Sequence, residues 1–306
     1  MIRVLLLDLG ETLVHGDTIF PNVKTALEAL ANFRTEANEP LALALVSDFT
    51  MPTPPVTAQK IETIFRDYVA ELDGFGLTSF FEPVKQHATL STHAGVFKPD
   101  RRIFEMALSR LGVSAGLGEC LFITENAGHI AACQNLGMKT LQFDGSGAPG
   151  SDFSDWAEAP PLIAHMVAPE SETNLELALK AHLAAAHEME LIAMKKDPAN
   201  PNRRIRGRAT KWTPVPAPQQ SGEQSLDVPL PVDVDIETDE KGRVRSVKSG
   251  QPDPEDVEEA KAFVETLEAN KQVAHQSGPL PPGTTHKVET DKKGRKRLVR
   301  KRFSAI

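Results

Sequence analysis

Short apolar runs alternate with helical patterns over the first half of the chain. Short segments rich in apolar residues at 4–7, 41–46, 120–124 and 140–143, with a weaker one near 83–89, have the length of buried parallel strands. Between them, apolar side chains recur at helical spacing in residues 21–34, in a segment opening at Thr57, and in residues 99–111 and 127–135. Such alternation predicts an α/β fold, a Rossmann-like parallel sheet with helices on both faces.

The pattern changes after Pro169. Residues 174–194 predict one long helix, because Leu175, Leu179 and Leu183 recur near one stripe. A basic stretch follows, and residues 214–231 are rich in Pro, Gln and Ser, which is typical of an extended linker. We therefore predict four segments: a core at 1–168, a long helix at 169–196, a basic and Pro-rich linker at 197–231, and a small module at 232–306.

The small module contains an internal repeat. The segment 236–245 recurs as 288–297, and each copy has an Asp-x-Lys-Gly turn between two extended stretches. Gly242 and Gly294 supply the positive φ that such a hairpin turn requires, so two hairpins are predicted. Between them, Asp253-Pro254 is a strong helix start.

So small a module would be only marginally stable by itself. We therefore expect it to pack on a protein partner, on a second copy of itself, or on the 174–194 helix. We also expect limited proteolysis to release an N-terminal fragment ending between about Met194 and Pro231.

Composition narrows the function classes. The length of 306 residues favours about two domains, and the formal charge of −8 argues against general nucleic-acid binding, although basic stretches lie at 203–211 and 292–302. Cys120 and Cys133 are expected to be buried thiols rather than a disulfide. Because no apolar run approaches the roughly 20 residues of a membrane span and the N-terminus lacks signal-peptide features, we expect a cytoplasmic protein with no membrane contact.

The most informative stretch is Val4 to Leu13, in which an apolar strand ends on Asp8 and is followed by Gly10, Glu11 and Thr12. A carboxylate at the carboxyl end of such a strand lies where open α/β sheets bind ligands. Three further features follow strand ends or flank them in chain order: Ser47, Lys98 in Lys-Pro-Asp, and Glu125-Asn126.

These four motifs, with the later Leu136-Gly137-Met138, resemble those of the haloacid dehalogenase (HAD) superfamily over about the first 145 residues. The resemblance implies that Asp8 is a nucleophile forming an aspartyl-phosphate and that Ser47 and Lys98 bind the phosphoryl group. It also implies that Asp8, the backbone carbonyl of Gly10 and Glu125 hold Mg²⁺, which prefers oxygen ligands.

Two positions depart from the family pattern. Gly10 stands where the family has its acid/base Asp, whose help is worth roughly 10²–10⁴-fold in rate. Glu11 is a poor substitute, because neighbouring side chains on an extended segment diverge. In the fourth motif His129 stands near the expected second acid; His is a poor Mg²⁺ ligand, and a helix-surface or packed role is favoured for it.

Neither of the two gaps in which HAD proteins carry a cap domain, residues 13–41 and 47–98, has room for a large one, so the chain resembles capless or minimally capped members. The leading hypothesis is a Mg²⁺-dependent phosphatase acting on a phosphorylated substrate of undefined size, with a C-terminal interaction module. A second hypothesis is a catalytically impaired HAD pseudoenzyme serving as scaffold or sensor. The third is a nucleic-acid-end or nucleoprotein phosphatase that grips the phosphate backbone through its basic stretches.

Overall fold

The chain divides into two compact units. The computed structural model describes residues 1–198, 200, 203–217, 225–275 and 281–301. Unit 1 comprises Met1–Ala185 with Lys241–Arg243, and unit 2 comprises Ala186–Glu240 with Val244–Ile306. Each unit is described by itself.

Unit 1 alternates strands and helices along its whole length. Its strands are β1 (Val4–Leu7), β2 (Val14–His15), β3 (Thr18–Ile19), β4 (Ala42–Ser47), β5 (Ala88–Leu90), β6 (Cys120–Thr124) and β7 (Lys139–Gln142). Its helices are α1 (Val23–Leu30), α2 (Ala58–Gly74), α3 (Val84–His87), α4 (Ser91–Ala94), α5 (Arg101–Leu111), α6 (Ala127–Asn135), α7 (Ala159–Val167) and α8 (Glu172–His187), with 3₁₀ turns at Thr78–Phe81 and Leu117–Glu119.

Five of these strands form a parallel sheet in the order β5-β4-β1-β6-β7. The chain moves outward from β1 through β4 to β5, then returns to the other side of β1 with β6. The carboxyl end of β1 is therefore the point where the direction of winding reverses, which is where doubly wound sheets bind ligands.

The β1 strand is fully buried and separates two helical layers. Leu5 and Leu7 pack in one core with α1, α2 and α7, whereas Val4 and Leu6 pack in a second core with α5 and α6. Burial on both faces explains why β1 is continuously apolar rather than alternating. The α/β prediction is confirmed.

Local signals in unit 1 are also confirmed, with one exception. The Thr57 side chain caps α2 by accepting from the Lys60 N–H, and Gly112 ends α5 at φ 68°. The strand predicted near 83–89 is wrong in its extent: residues 84–87 form α3, and β5 begins at Ala88. Residues 13–41 hold only the β2–β3 hairpin, α1 and connecting turns, in agreement with a minimal cap.

Unit 2 is a mixed sheet with one long helix. Its elements are β8 (Met189–Lys196), β9 (Arg204–Pro216), β10 (Ser225–Thr238), β11 (Val244–Ser249), α9 (Pro254–Ala269), β12 (Val273–Ala274), β13 (His286–Thr290) and β14 (Lys296–Arg300). The strand order is β12-β13-β14-β10-β9-β8, and β11 also pairs with β10. Apolar residues of α9, β9, β10 and β14 form its core.

The predicted long helix at 174–194 is wrong beyond His187. The chain turns at Glu188, whose φ is 53°, and residues 189–196 form β8 instead. Met189 and Leu191 are buried while Glu190 and Ile192 are exposed, and β8 pairs with β9 through residues 189–196. Pairing with β9 overrides the helix propensity of Met, Leu, Ala and Lys, which is worth only tenths of a kcal/mol per residue.

The predicted linker at 197–231 is also wrong within the described residues, since most of it is strand; residues 199, 201–202 and 218–224 lie outside them. The β9 and β10 strands pair antiparallel over thirteen residues, from Ser225–Pro216 to Glu237–Arg204. Buried side chains alternate along β10 from Leu226 to Ile236, a strand pattern that its prolines obscure. The hairpin module therefore does not begin at 232, because its first strand is the second half of β10.

Both predicted hairpins are confirmed. The β10–β11 and β13–β14 pairs are antiparallel, with Gly242 at φ 82° and Gly294 at φ 77° in their turns. Asp253 caps α9, with Pro254 in its first turn. Both cysteines are buried free thiols, and none of the described helices is long and apolar enough to cross a membrane.

Candidate active site at the carboxyl end of the sheet

A buried ion pair lies at the carboxyl end of β1. Lys98 Nζ is 2.5 Å from Asp8 Oδ1, and the two side chains are only 2% and 9% exposed. The ammonium also donates to the Val46 carbonyl at 3.1 Å, and the Lys98 N–H donates to Asp48 Oδ1 at 2.8 Å. The loop carrying Lys98 is thus held against the end of β4, which fixes the ammonium over the Asp8 carboxylate.

Glu125 is positioned by Thr124, the last residue of β6, and by Thr12, in the turn that follows β1. Thr12 Oγ1 donates to Glu125 Oε2 at 2.7 Å and accepts from the Glu125 N–H at 3.2 Å. Thr124 Oγ1 lies 3.0 Å from Asp8 Oδ2 and 3.1 Å from Glu125 Oε2, so one hydroxyl bridges the two carboxylates. Thr124 and the Thr12 contact were missed by sequence reasoning, because both depend on β1 and β6 being neighbours.

Ser47 is buried at the end of β4, where its Oγ lies 2.9 Å from the Tyr68 hydroxyl. Tyr68 comes from α2 and was also missed, since nothing in its sequence surroundings marks it. Burial raises the pKa of Tyr68. The hydrogen bond to Ser47 lowers this pKa, and the negative charge of nearby Asp8 raises it. The phenol therefore stays protonated, and a proton donor stands beside Ser47.

Gly10 lies at the exposed edge of this site. A Cβ built on Gly10 meets no heavy atom within 4 Å, and Gly10 does not have a positive φ. The neighbouring Glu11, at φ 54°, accepts from His15 Nδ1 at 2.7 Å on an exposed surface. The Glu11 carboxylate is thus engaged with His15, in keeping with the expectation that it is a poor substitute for the absent acid.

His129 lies in the first turn of α6, within electrostatic reach of the ion pair. Burial lowers the pKa of His129, and the Lys98 charge lowers it further against the opposing charges of Asp8, Asp48 and Glu125. Its Nδ1 is buried, with no hydrogen-bond partner among the described residues. His129 is therefore a neutral imidazole beside the site, rather than a replacement for an acid.

The oxygen atoms present match the preferences of Mg²⁺. The carboxylates of Asp8 and Glu125 both lie beside the Thr124 hydroxyl, which can donate to only one of them at a time. The Gly10 carbonyl follows Asp8 by two residues in the sequence. A hard divalent cation would satisfy such oxygen ligands. In the described part of the chain, no group of three or more His, Cys, Asp or Glu side chains is arranged to hold a metal. A site here would depend on the backbone carbonyl and on water.

The structure brings Asp8, Lys98, Thr124 and Glu125 together at the switch point of a five-stranded parallel sheet, with Ser47 at the end of the adjacent strand. Unit 1 is thus an open, doubly wound α/β domain with a polar site at its switch point.

Comparisons with solved structures find HAD-family proteins at low identity and low TM-score. A HAD family hydrolase from Deinococcus radiodurans R1, solved with bound phosphate and sodium, is 14% identical over 60% of this chain and 98% of its own, with a TM-score of 0.34. A conserved haloacid dehalogenase-like protein of unknown function from Agrobacterium tumefaciens C58 is 15% identical over 54% and 99%, with a TM-score of 0.32. At these identities and TM-scores, neither a fold nor a residue role is taken from the likenesses. No family model and no curated protein matches the chain.

Several basic residues of unit 2 pair with carboxylates. Arg203 pairs with Glu240, Arg204 with Asp235, and Arg206 with Asp197. At the second hairpin, one carboxylate, that of Glu188, accepts from three basic side chains, Lys293, Arg295 and Arg297. These hydrogen bonds lower the pKa of Glu188 to about 2, and the bond from Lys293 has the largest effect. Arg302 lies outside the described residues.

Proposed function

We propose that unit 1 is a phosphoric-ester hydrolase in which Asp8 attacks the phosphorus atom and forms an aspartyl-phosphate. The observation that carries the proposal is the Asp8–Lys98 pair, buried at the switch point of the sheet with a contact distance of 2.5 Å. Burying two charges has a high desolvation cost, so a buried pair at a ligand-binding edge favours a chemical role over a stabilising one.

Lys98 performs the electrostatic part of this reaction. Attack by a carboxylate on a phosphate ester brings two anions together, and a fixed ammonium offsets that repulsion without reorganisation during the reaction. The Val46 carbonyl and the Asp48 contact hold Lys98 in place before substrate arrives. Removal of one such preorganised donor costs about 10²–10³-fold in turnover in comparable sites.

Ser47 and Tyr68 supply a second phosphoryl contact. If the protonated phenol donates to Ser47 Oγ, the Ser47 hydrogen is directed elsewhere and can bind a phosphoryl oxygen. Tyr68 would then act as a positioning residue, since it acts through Ser47.

Mg²⁺ would be held by Asp8, the Gly10 carbonyl and Glu125, and would supply further neutralisation of the phosphoryl charge. Thr12 and Thr124 orient the Glu125 carboxylate towards Asp8, so they prepare the oxygen ligands. The chain contributes no acid at residue 10, so substrates with good leaving groups should react best.

The test is Mg²⁺-dependent hydrolysis of an aryl phosphate by the full chain. We expect measurable turnover that is abolished in Asp8→Asn and retained in Asp67→Asn, a matched change at an exposed position of α2. Absence of turnover over a broad panel of phosphate esters, with folded wild-type protein, would contradict the proposal.

Gly10 favours a second candidate function, a pseudoenzyme that binds a phosphorylated ligand without hydrolysing it. Both candidates use the same Asp8 and Lys98 contacts, so binding alone does not separate them. The two candidates are separated by combining the turnover assay with calorimetry in Mg²⁺ and beryllium fluoride. Beryllium fluoride mimics a phosphoryl group on Asp8. Binding without turnover supports the sensor. The absence of both binding and turnover supports a scaffold.

Nucleic-acid-end hydrolysis has less support. Six of the basic side chains that would hold a phosphate backbone are engaged with carboxylates in unit 2. Electrostatic binding of this kind requires a steep loss of affinity with added salt. Nucleic-acid-end hydrolysis would be supported by salt-dependent DNA or RNA binding that is lost when the residues after Pro282 are deleted.

A further inference from the structure

Among the described residues, no strand pairs with one edge of β10 over its central residues. The β9 strand pairs with the whole of the other edge, whereas β14 pairs with this edge only at Asp227 and β11 only from Val234 onward. Residues 228–232 therefore pair with neither strand, and the Asp233 carbonyl accepts from the Gly250 N–H just beyond β11. At about 3.3 Å per residue, the gap is roughly 16 Å long.

The open edge presents hydrogen-bond acceptors and lacks donors at two of its positions. The Asp233 carbonyl accepts from the Gly250 N–H on this edge, while the Thr238 N–H donates to Arg203 on the β9 side. Because peptide groups alternate along a strand, Pro229 and Pro231 share the orientation of Asp233. Each proline places a carbonyl on the open edge and has no N–H to place there.

A groove of about 560 Å³ lies along this gap, between β10, α9 and β14, entirely within unit 2. Asp256 and Glu259 line it from α9, together with Phe263, which is 50% exposed. The one guanidinium in the lining is that of Arg300. No ion pair or hydrogen bond engages the Asp256, Glu259 or Arg300 side chains within the described part of the chain.

The groove thus combines two carboxylates, two outward carbonyls and an exposed aromatic ring. A guanidinium carries five donors and no acceptor, so it matches an acceptor-rich lining, and it stacks on aromatic rings. An acidic or acceptor-rich ligand would face repulsion from the same groups. We propose that this groove is a docking site for an extended, arginine-bearing segment of a partner protein, held by Asp256, Glu259 and the carbonyls of Pro229 and Pro231.

The experiment titrates the full chain with short, capped, fluorescent peptides by anisotropy. The probe is an alternating Arg-Thr peptide; the controls replace Arg with citrulline, which keeps the shape without the charge, or with Glu. We expect saturable one-to-one binding of the Arg peptide, weaker binding of the citrulline peptide and none of the Glu peptide.

Variants locate the site. The double variant Asp256→Asn/Glu259→Gln should weaken binding of the Arg peptide about 2- to 30-fold, since each of the two exposed ion pairs is worth about 0.2–1 kcal/mol. Glu258→Gln/Glu265→Gln makes the same change of net charge at exposed α9 positions outside the groove and should leave binding unchanged. Arg300→Gln should strengthen binding, because it removes a like charge.

Three results of the binding assay would overturn the proposal. They are an absence of saturable binding, equal losses in the two double variants, and weaker binding in Arg300→Gln. Sedimentation of wild-type protein tests a second copy as the occupant, and self-association that the Asp256→Asn/Glu259→Gln change disrupts would also overturn the proposal. Circular dichroism confirms that each variant is folded. None of these readouts depends on the phosphatase activity proposed for unit 1.

Discussion

Restoring a carboxylate at residue 10 should accelerate hydrolysis of phosphate esters with poor leaving groups. Gly10 is exposed, follows Asp8 by two residues, and has no heavy atom within 4 Å of a built Cβ. Since its φ is not positive, an L side chain fits without backbone strain. The Gly10→Asp variant therefore adds an acid beside the nucleophile and disturbs no described contact around Cβ.

The size of the effect depends on the leaving group. A positioned general acid contributes about 10²–10⁴-fold, equivalent to about 2.7–5.5 kcal/mol of barrier. An alkyl phosphate needs this protonation, so its turnover should rise by about that factor. An aryl phosphate has a good leaving group and should gain much less. The ratio of the two rates, measured at saturating Mg²⁺, is the quantity to compare.

Gly10→Asn is the matched control, because it has the same shape and cannot supply a proton. We expect it to leave the ratio of alkyl to aryl rates at the wild-type value. An Asp variant that gains nothing over Asn, in folded protein, would refute the view that only the acid is missing. Equal gains for both variants would mean that packing rather than proton transfer limits the reaction.

Three further predictions follow from single contacts. Thr124→Val removes the hydroxyl shared by Asp8 and Glu125, so it should raise the Mg²⁺ concentration needed for half-maximal activity; an unchanged requirement would argue against this metal site. Burial, and then the charges of Arg110 and Lys85, lower the pKa of His93 to about 4, whereas unfolded His has about 6.5. Only the unfolded state gains a proton between these values, so the unfolding free energy should fall as pH drops from 6.5 towards 4, and His93→Gln should lessen that fall in thermal scans. Leu267→Ala, in the α9 core, should destabilise unit 2 by about 2–5 kcal/mol, seen as faster hydrogen exchange there, while aryl phosphate hydrolysis persists.

The sequence was sufficient for the core of unit 1 because its local signals agree with one another. The apolar run before Asp8, the cap at Thr57 and the glycine at Gly112 each specify one element without help from distant residues. The winding of the sheet then brings Asp8, Lys98 and Glu125 to one edge. The roles of Thr124 and Tyr68 depend on contacts with residues that are distant in the sequence, so no local pattern predicts them.

In unit 2, composition and periodicity indicate different structures. The prolines at 229 and 231 favour a linker, whereas the apolar alternation from Leu226 to Ile236 favours the strand that the structure shows. Proline is tolerated there because its missing N–H falls on an unpaired edge. In β8, residues that favour a helix form a strand because they pair with β9. Nothing in the sequence near Met189 predicts that pairing.

The central claim is that Asp8 becomes phosphorylated during turnover. Borohydride reduces an acyl phosphate to an alcohol, so quenching the wild-type protein during aryl phosphate hydrolysis should convert Asp8 to homoserine. Peptide mass spectrometry would then locate the change at Asp8, dependent on Mg²⁺ and substrate. Continued hydrolysis with Asp8 unmodified, or reduction at another carboxylate, would contradict the account.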